Sequence, residues 1–180
     1  MKKIVRLTES DLARIVRRVI SEGATAVAQG KVFVGGANIS AVYAPGEVVT
    51  GKGTIRNFSP DTIAKVFSAK IQVTPEGAKL GLTPDMLTIK MPATVGPVTP
   101  KNKQQTTGNY NGVFMDYTSG SYDWTLKTPT KQFTNTTGKP ITLFMITFNT
   151  NDFKTPEMPS RVFNMQPNSQ FGVQGAQSQN

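Results

Sequence analysis

The sequence contains no cysteine and no histidine. Without thiols, neither disulfides nor thiolate metal sites can form. Without imidazole, the chain lacks the commonest general base, the commonest metal ligand and every Ser-His or Cys-His nucleophile pair. Carboxylate, lysine and tyrosine chemistry is all that remains for catalysis, so a non-enzymatic protein without a cofactor is expected. No apolar run approaches the ~20 residues of a membrane span, and no membrane partner is expected. Nor does the opening read as a secretory signal, because its apolar stretch is broken by Arg6, Glu9, Asp11 and Arg14. The sequons at Asn38, Asn57 and Asn135 therefore carry no glycosylation argument.

Charge of one sign is in excess: 20 basic residues face 11 acidic ones, for a net charge of +9. Residues 1–22 hold six basic and three acidic residues, and the remainder hold fourteen and eight, so the excess is spread along the chain. Diffuse positive charge implies at most a weak, salt-sensitive attraction to nucleic acid and marks no site. The densest basic patch of the body is "KNK" at 101–103.

What is present divides sharply near residue 23. "LTESDLARIVRRVISEG" has a helix start, a face and a stop. Thr8 can cap the first turn, Asp11 stands three residues on, and Leu7 and Leu12 occupy the hydrophobic-staple positions. Glu9 and Asp11 suit the positive end of the helix dipole. Leu12, Ile15, Val16, Val19 and Ile20 then follow the i, i+3, i+4, i+7, i+8 spacing of one apolar stripe. Gly23 suits the left-handed residue that ends a helix. A helix from Glu9 to Glu22 would be roughly 21 Å long and marginal alone in water, so its stripe needs a partner. That partner is either the body behind it or a groove on another protein.

The leader "MKKIVRLTESDLARIVRRVISE" resembles a short N-terminal segment that recurs on otherwise unrelated proteins of large tailed bacteriophages. The junction "VISEG" is similar to the cleavage signal of T-even-like phage prohead proteases: Leu or Ile, any residue, Glu, then a small residue. The resemblance covers about the first 23 residues. It implies a leader that directs the protein into the assembling head and is cut after Glu22. Ile20, Glu22 and Gly23 would form the processing site, with the prohead protease as processing enzyme.

Beyond the connector at 23–30 the dominant period is two. "SYDWTLK" sets Tyr122, Trp124 and Leu126 on one face. "KVFSAKIQV" sets Phe67, Ala69, Ile71 and Val73 together, and "MLTIKM" sets Leu87, Ile89 and Met91 together. "PITLFMITFNT" is apolar on both faces and predicts a central strand. "EVVTGKGTIRN" and "KVFVGGANISAV" are further strand candidates. Turn signals separate these runs at Pro45-Gly46, Ser59-Pro60-Asp61, Pro75-Glu76-Gly77, Thr83-Pro84-Asp85, Gly96-Pro97 and Gly138-Lys139-Pro140. About seven strands with no helical pattern between them predict a mainly β fold. The expected form is an antiparallel β-sandwich, Ig-like or jelly-roll-like, over 31–163, preceded by the amphipathic helix. From Asn164 the chain is uncharged, with five glutamines and three asparagines, and reads as a disordered or extended tail over 164–180. Phe171 and Val173 are its only anchors.

Candidate sites are few. "GKGTIRN" begins like a phosphate-binding loop, but Arg56 stands where a third glycine belongs and a strand follows in place of a helix, so bulge or bend glycines are expected. Asp116 and Asp123 flank "YTSGSY"; a hairpin centred at Ser119-Gly120 would set the two carboxylates opposite each other as a weak acid-base or cation pair. Tyr110, Tyr117, Tyr122 and Trp124 could stack bases or sugars, but their spacing fits core packing.

The expectation from sequence is a virion protein, assembled in the bacterial cytoplasm, whose partners are other capsid, scaffold or tail proteins. A homo-oligomer is open. Two other readings stand beside it: an internal, packaged DNA-binding protein, and a cellular β-sandwich binding module whose helix packs permanently on the sheet.

Overall fold

The computed structural model describes residues 32–101, 107–110, 112–150 and 160–175. The leader with its stripe of Leu12, Ile15, Val16, Val19 and Ile20, the junction at Glu22-Gly23 and the connector at 23–30 lie outside the described residues. In chain order the elements are β1 (Val32–Val34), β2 (Ala37–Ile39), β3 (Val48–Asn57), β4 (Ala64–Val73), α1 (Pro75–Lys79), β5 (Leu87–Ile89), β6 (Ala93–Val95), β7 (Gly108–Tyr110), β8 (Val113–Met115), β9 (Thr118–Lys127), β10 (Phe133–Thr134), β11 (Ile141–Thr150), β12 (Ser160–Met165) and β13 (Gln170–Phe171). The protein is mainly β. A four-stranded sheet runs β1-β3-β9-β5 and a five-stranded sheet runs β2-β12-β11-β4-β6, with β7-β8 and β10-β13 as two-stranded ribbons. The paired strands are antiparallel except β2, which lies parallel to β12.

Alternation places the core. Along β9, Tyr122, Trp124 and Leu126 are buried while Ser121, Asp123 and Lys127 face solvent. β11 is central, between β12 and β4, as its two apolar faces predict. Phe144, Ile146 and Phe148 point inward from it, and aromatic rings of the two sheets meet. Tyr122 and Phe148 have centroids 5.0 Å apart, and Trp124 meets Phe163 edge-on at 4.9 Å. Such contacts add about 0.5–1.5 kcal/mol each beyond buried area. The rings of Tyr122 and Trp124 lie across the neighbouring strand, over their direct partners Gly53 and Gly51, where any Cβ would collide with them. Those two glycines neither bend nor bulge the strand, contrary to expectation. They make room for rings.

Four other expectations are corrected. Pro75-Glu76-Gly77 opens a short helix where a turn was expected. Thr74 Oγ1 accepts from the Gly77 amide at 3.1 Å, Pro75 suits the first helical position, and Gly77 fits closely over the Leu143 carbonyl. Thr83-Pro84-Asp85 likewise closes as a 3-10 turn over Pro84–Met86. Phe67 does not share a face with Ala69, Ile71 and Val73. Thr150 pairs with Val66 but Asn149 pairs with Ser68, so Phe67 is the extra residue of a bulge and is 44% exposed.

The boundary at 163 is the fourth. It falls inside β12, which continues through Asn164 and Met165. The tail then returns: β13 pairs with β10, and Phe171 is fully buried against Tyr43, at 6.0 Å between centroids. Backbone amides of Tyr43 and Val173 and carbonyls of Gln170 and Tyr43 tie the segment to the loop after β2. Residues 164–175 thus belong to the fold. One buried ring and a ladder of backbone bonds order a stretch that its composition marks as unstructured.

Two of the sequon asparagines are buried pins. Asn57 Nδ2 donates to the carbonyls of Thr62, Val95 and Gly96 at 2.8–3.2 Å, and its Oδ1 accepts from the Ser59 amide at 2.9 Å. Asn135 Nδ2 donates to Lys139 and Met165 carbonyls, and its Oδ1 accepts from the amide and hydroxyl of Thr137. Each ties carbonyls of separate segments together through one buried side-chain amide.

Candidate functional site

The chain passes from one sheet to the other between β1 and β2, through Gly35-Gly36. Any Cβ on Gly36 would strike the Val162 carbonyl, so this close passage requires glycine. Two side chains hold the carbonyls of the crossover. Arg161, from β12 of the five-stranded sheet, donates through Nε to the Val34 carbonyl, and its Nη1 donates to the Ser160 carbonyl. The Tyr122 hydroxyl, from β9 of the other sheet, donates to the Gly35 carbonyl at 2.9 Å. Burial pushes the Tyr122 phenol up to about 12, partly opposed by the positive charge of Arg161.

From this anchor an arginine-aromatic stack extends along the end of the four-stranded sheet. Val32 and Val34 point into the core, so Phe33 between them points outward. Register sets Arg56 directly opposite Phe33, and Ser119 opposite Arg56 on the far side. The Arg161 guanidinium carbon stands 4.9 Å from the Phe33 ring centroid. The Arg56 carbon stands 5.7 Å from the Phe33 centroid and 4.9 Å from that of Tyr117. Tyr117 in turn rests on the buried Phe58 ring at 5.4 Å. The order is therefore Arg161, Phe33, Arg56, Tyr117, Phe58. Among the described residues Arg56 has neither a carboxylate partner nor a side-chain hydrogen bond, so its five N–H donors are held by ring stacking alone.

The frame around Arg56 is fixed. Its neighbour Asn57 is the buried pin described above, and Thr118 Oγ1 donates at 2.6 Å to the carbonyl of Gly96, just past the end of β6 in the other sheet. Two residues down the same outward face, Thr54 stands opposite Ser121, both exposed. One step further, Lys52 and Asp123 form an exposed ion pair at 3.6 Å.

The aspartate pair expected from sequence does not exist. Thr118 to Lys127 is one continuous strand, so no hairpin turns at Ser119-Gly120. At about 3.3 Å per residue, Thr118 and Asp123 alone are roughly 16 Å apart along it. Asp116 lies before the strand and Asp123 faces Lys52. Gly120 has another purpose: it occupies an inward position where the Val95 side chain packs, and a Cβ there would overlap it. Of the aromatic residues, Tyr122 and Trp124 are core, as their spacing predicts. Tyr117 is not; it stacks on Arg56. Tyr110 lies in β7.

Sequence reasoning missed the stack because Phe33, Arg56, Tyr117 and Arg161 are scattered over 129 positions. The one available signal was the alternation "VFV", which puts an aromatic ring on the solvent side of a strand.

Among the described residues no cluster of three or more acidic side chains could hold a metal ion, and no helix is long and apolar enough to cross a membrane. Neither a known protein family nor a curated protein matches the chain. Among solved structures, a family 123 glycoside hydrolase from Clostridium perfringens, studied for glycolipid glycan hydrolysis, aligns over 77% of this chain and 27% of its own length. The identity is 8% and the TM-score 0.36, so this chain spans about a quarter of that enzyme's length and the likeness carries no functional argument.

Proposed function

We propose that this protein is a structural or accessory component of a tailed-phage particle, delivered to the prohead by a leader that is removed after Glu22. Its body is a β-sandwich: the inner faces of the four- and five-stranded sheets share one core, and the chain changes sheet at Gly35-Gly36. The observation that carries the functional reading is the order of features along the sequence. A basic amphipathic segment ends at Ile20-Ser21-Glu22-Gly23, and the first described strand starts at Val32. Cutting after Glu22 removes no described strand.

Within this reading the leader's stripe of Leu12, Ile15, Val16, Val19 and Ile20 docks on a scaffold or capsid partner, and the body stays in or on the particle after cleavage. Mass spectrometry of the protein from mature particles tests this. A chain starting at Gly23 is expected; a chain that still starts at Met1 overturns the processing step.

A further inference from the structure

The outward end of the four-stranded sheet collects cationic and hydroxyl groups in an ordered row. Phe33, Arg56 and Ser119 lie side by side across three strands. Thr54 and Ser121 form the next row, about 7 Å along the strands, and Lys52 with Asp123 the row after that. Among the described residues Arg56 is the one cation of these rows that lies against two aromatic rings. Contact with Phe33 and Tyr117 holds its guanidinium, and among the described residues its N–H groups have no acceptor. A planar fork with no partner among the described residues fits an anion with two oxygens in a plane.

We propose that this row contacts the sugar-phosphate backbone of a single-stranded nucleic acid, with Arg56 as its principal phosphate ligand. Ser119, Ser121 and Thr54 supply hydroxyl donors of the kind that accompany arginine at phosphates. The half-buried rings of Phe33 and Tyr117 bound the row. Rows two residues apart on one strand face suit a ligand with regularly repeated anionic groups. The net charge of +9 draws a polyanion to the molecule without choosing where it lands; the stack chooses. Arg161 is a positioning residue here. Its bonds to the Val34 and Ser160 carbonyls fix its guanidinium over Phe33, and Phe33 in turn bounds Arg56. The inference does not depend on the leader.

Fluorescence anisotropy with a labelled oligothymidylate, titrated against the full chain at several salt concentrations, tests it. R56A is expected to weaken binding roughly five- to tenfold at low salt and to reduce the salt slope by about 0.7, the value for one lost single-strand phosphate contact. R56K keeps the charge but not the planar fork; it should retain most of the slope and still bind less tightly than the parent. K139Q, which removes one exposed charge far along the chain, should change the affinity little. Equal losses from R56A and K139Q would overturn the proposal in favour of diffuse attraction. So would poly-glutamate that binds as tightly as the oligonucleotide and depends as strongly on Arg56, because the row would then read protein carboxylates. Thermal unfolding of R56K alongside the parent shows whether the fold is kept.

Discussion

Tyr122 serves two needs at once. Its ring fills the space left open over Gly53, and its hydroxyl satisfies the Gly35 carbonyl where the chain leaves one sheet for the other. Burial keeps the phenol neutral against the opposing charge of Arg161, so its proton is held to about 12 in the folded chain against 10 in the unfolded one. Between those values the unfolded state releases the proton first. Stability is therefore complete below pH 10 and falls as the pH rises from 10 towards 12. Y122F should cost about 1 kcal/mol at pH 8, the worth of a hydrogen bond whose acceptor is left behind, and should flatten the alkaline decline. Urea unfolding of both proteins at pH 8 and 10.5 checks this; an unchanged slope in Y122F would place the titration elsewhere. Tyr43, also raised by burial, accounts for a residual slope.

At the scale of elements, the period-two pattern made β9 and β11 legible from sequence, because each buries alternate side chains or both faces. The bulge at Phe67 was not legible. It is set by where β4 must stay paired with β11, and no residue in "KVFSAKIQV" announces the extra position. β13 was hidden for a different reason: two residues are too short for periodicity, and the glutamine-rich surroundings resemble a solvated tail. Its role follows from Phe171. F171A should destabilise the protein by about 3–4 kcal/mol, the cost of emptying a fully buried aromatic site. A chain ending at Phe163 loses the end of β12 and all of β13 and should not fold cooperatively, whereas a chain ending at Gly175 should match the parent. Denaturation followed by circular dichroism separates these outcomes.

For the whole molecule, the decisive quantity is how much apolar surface the leader shares with the body. Five aliphatic side chains seated permanently on a sheet would contribute about 1.5 kcal/mol or more each, and their loss would be severe. A docking leader contributes nothing to the fold after assembly. Deleting residues 1–22 should therefore leave the unfolding free energy within about 0.5 kcal/mol of the parent, inside the range of neutral surface changes. It should also abolish incorporation into particles. A large loss of stability with exposed hydrophobic surface would instead identify a helix that belongs to the domain.

The sequence by itself determined the class of the fold, because alternation, turn chemistry and the both-sided apolar run at 141–150 are local properties that survive without knowledge of partners. It also determined the chemical poverty of the chain, through the absence of cysteine and histidine. Tertiary structure alone decided where Arg56 meets Phe33 and Tyr117, that Asp116 and Asp123 do not face each other, and that the last strand closes the core at Phe171. These depend on register, on crossovers between sheets and on which strands become neighbours. A one-residue change in pairing moves every side chain to the other face, and no single stretch of sequence fixes that choice.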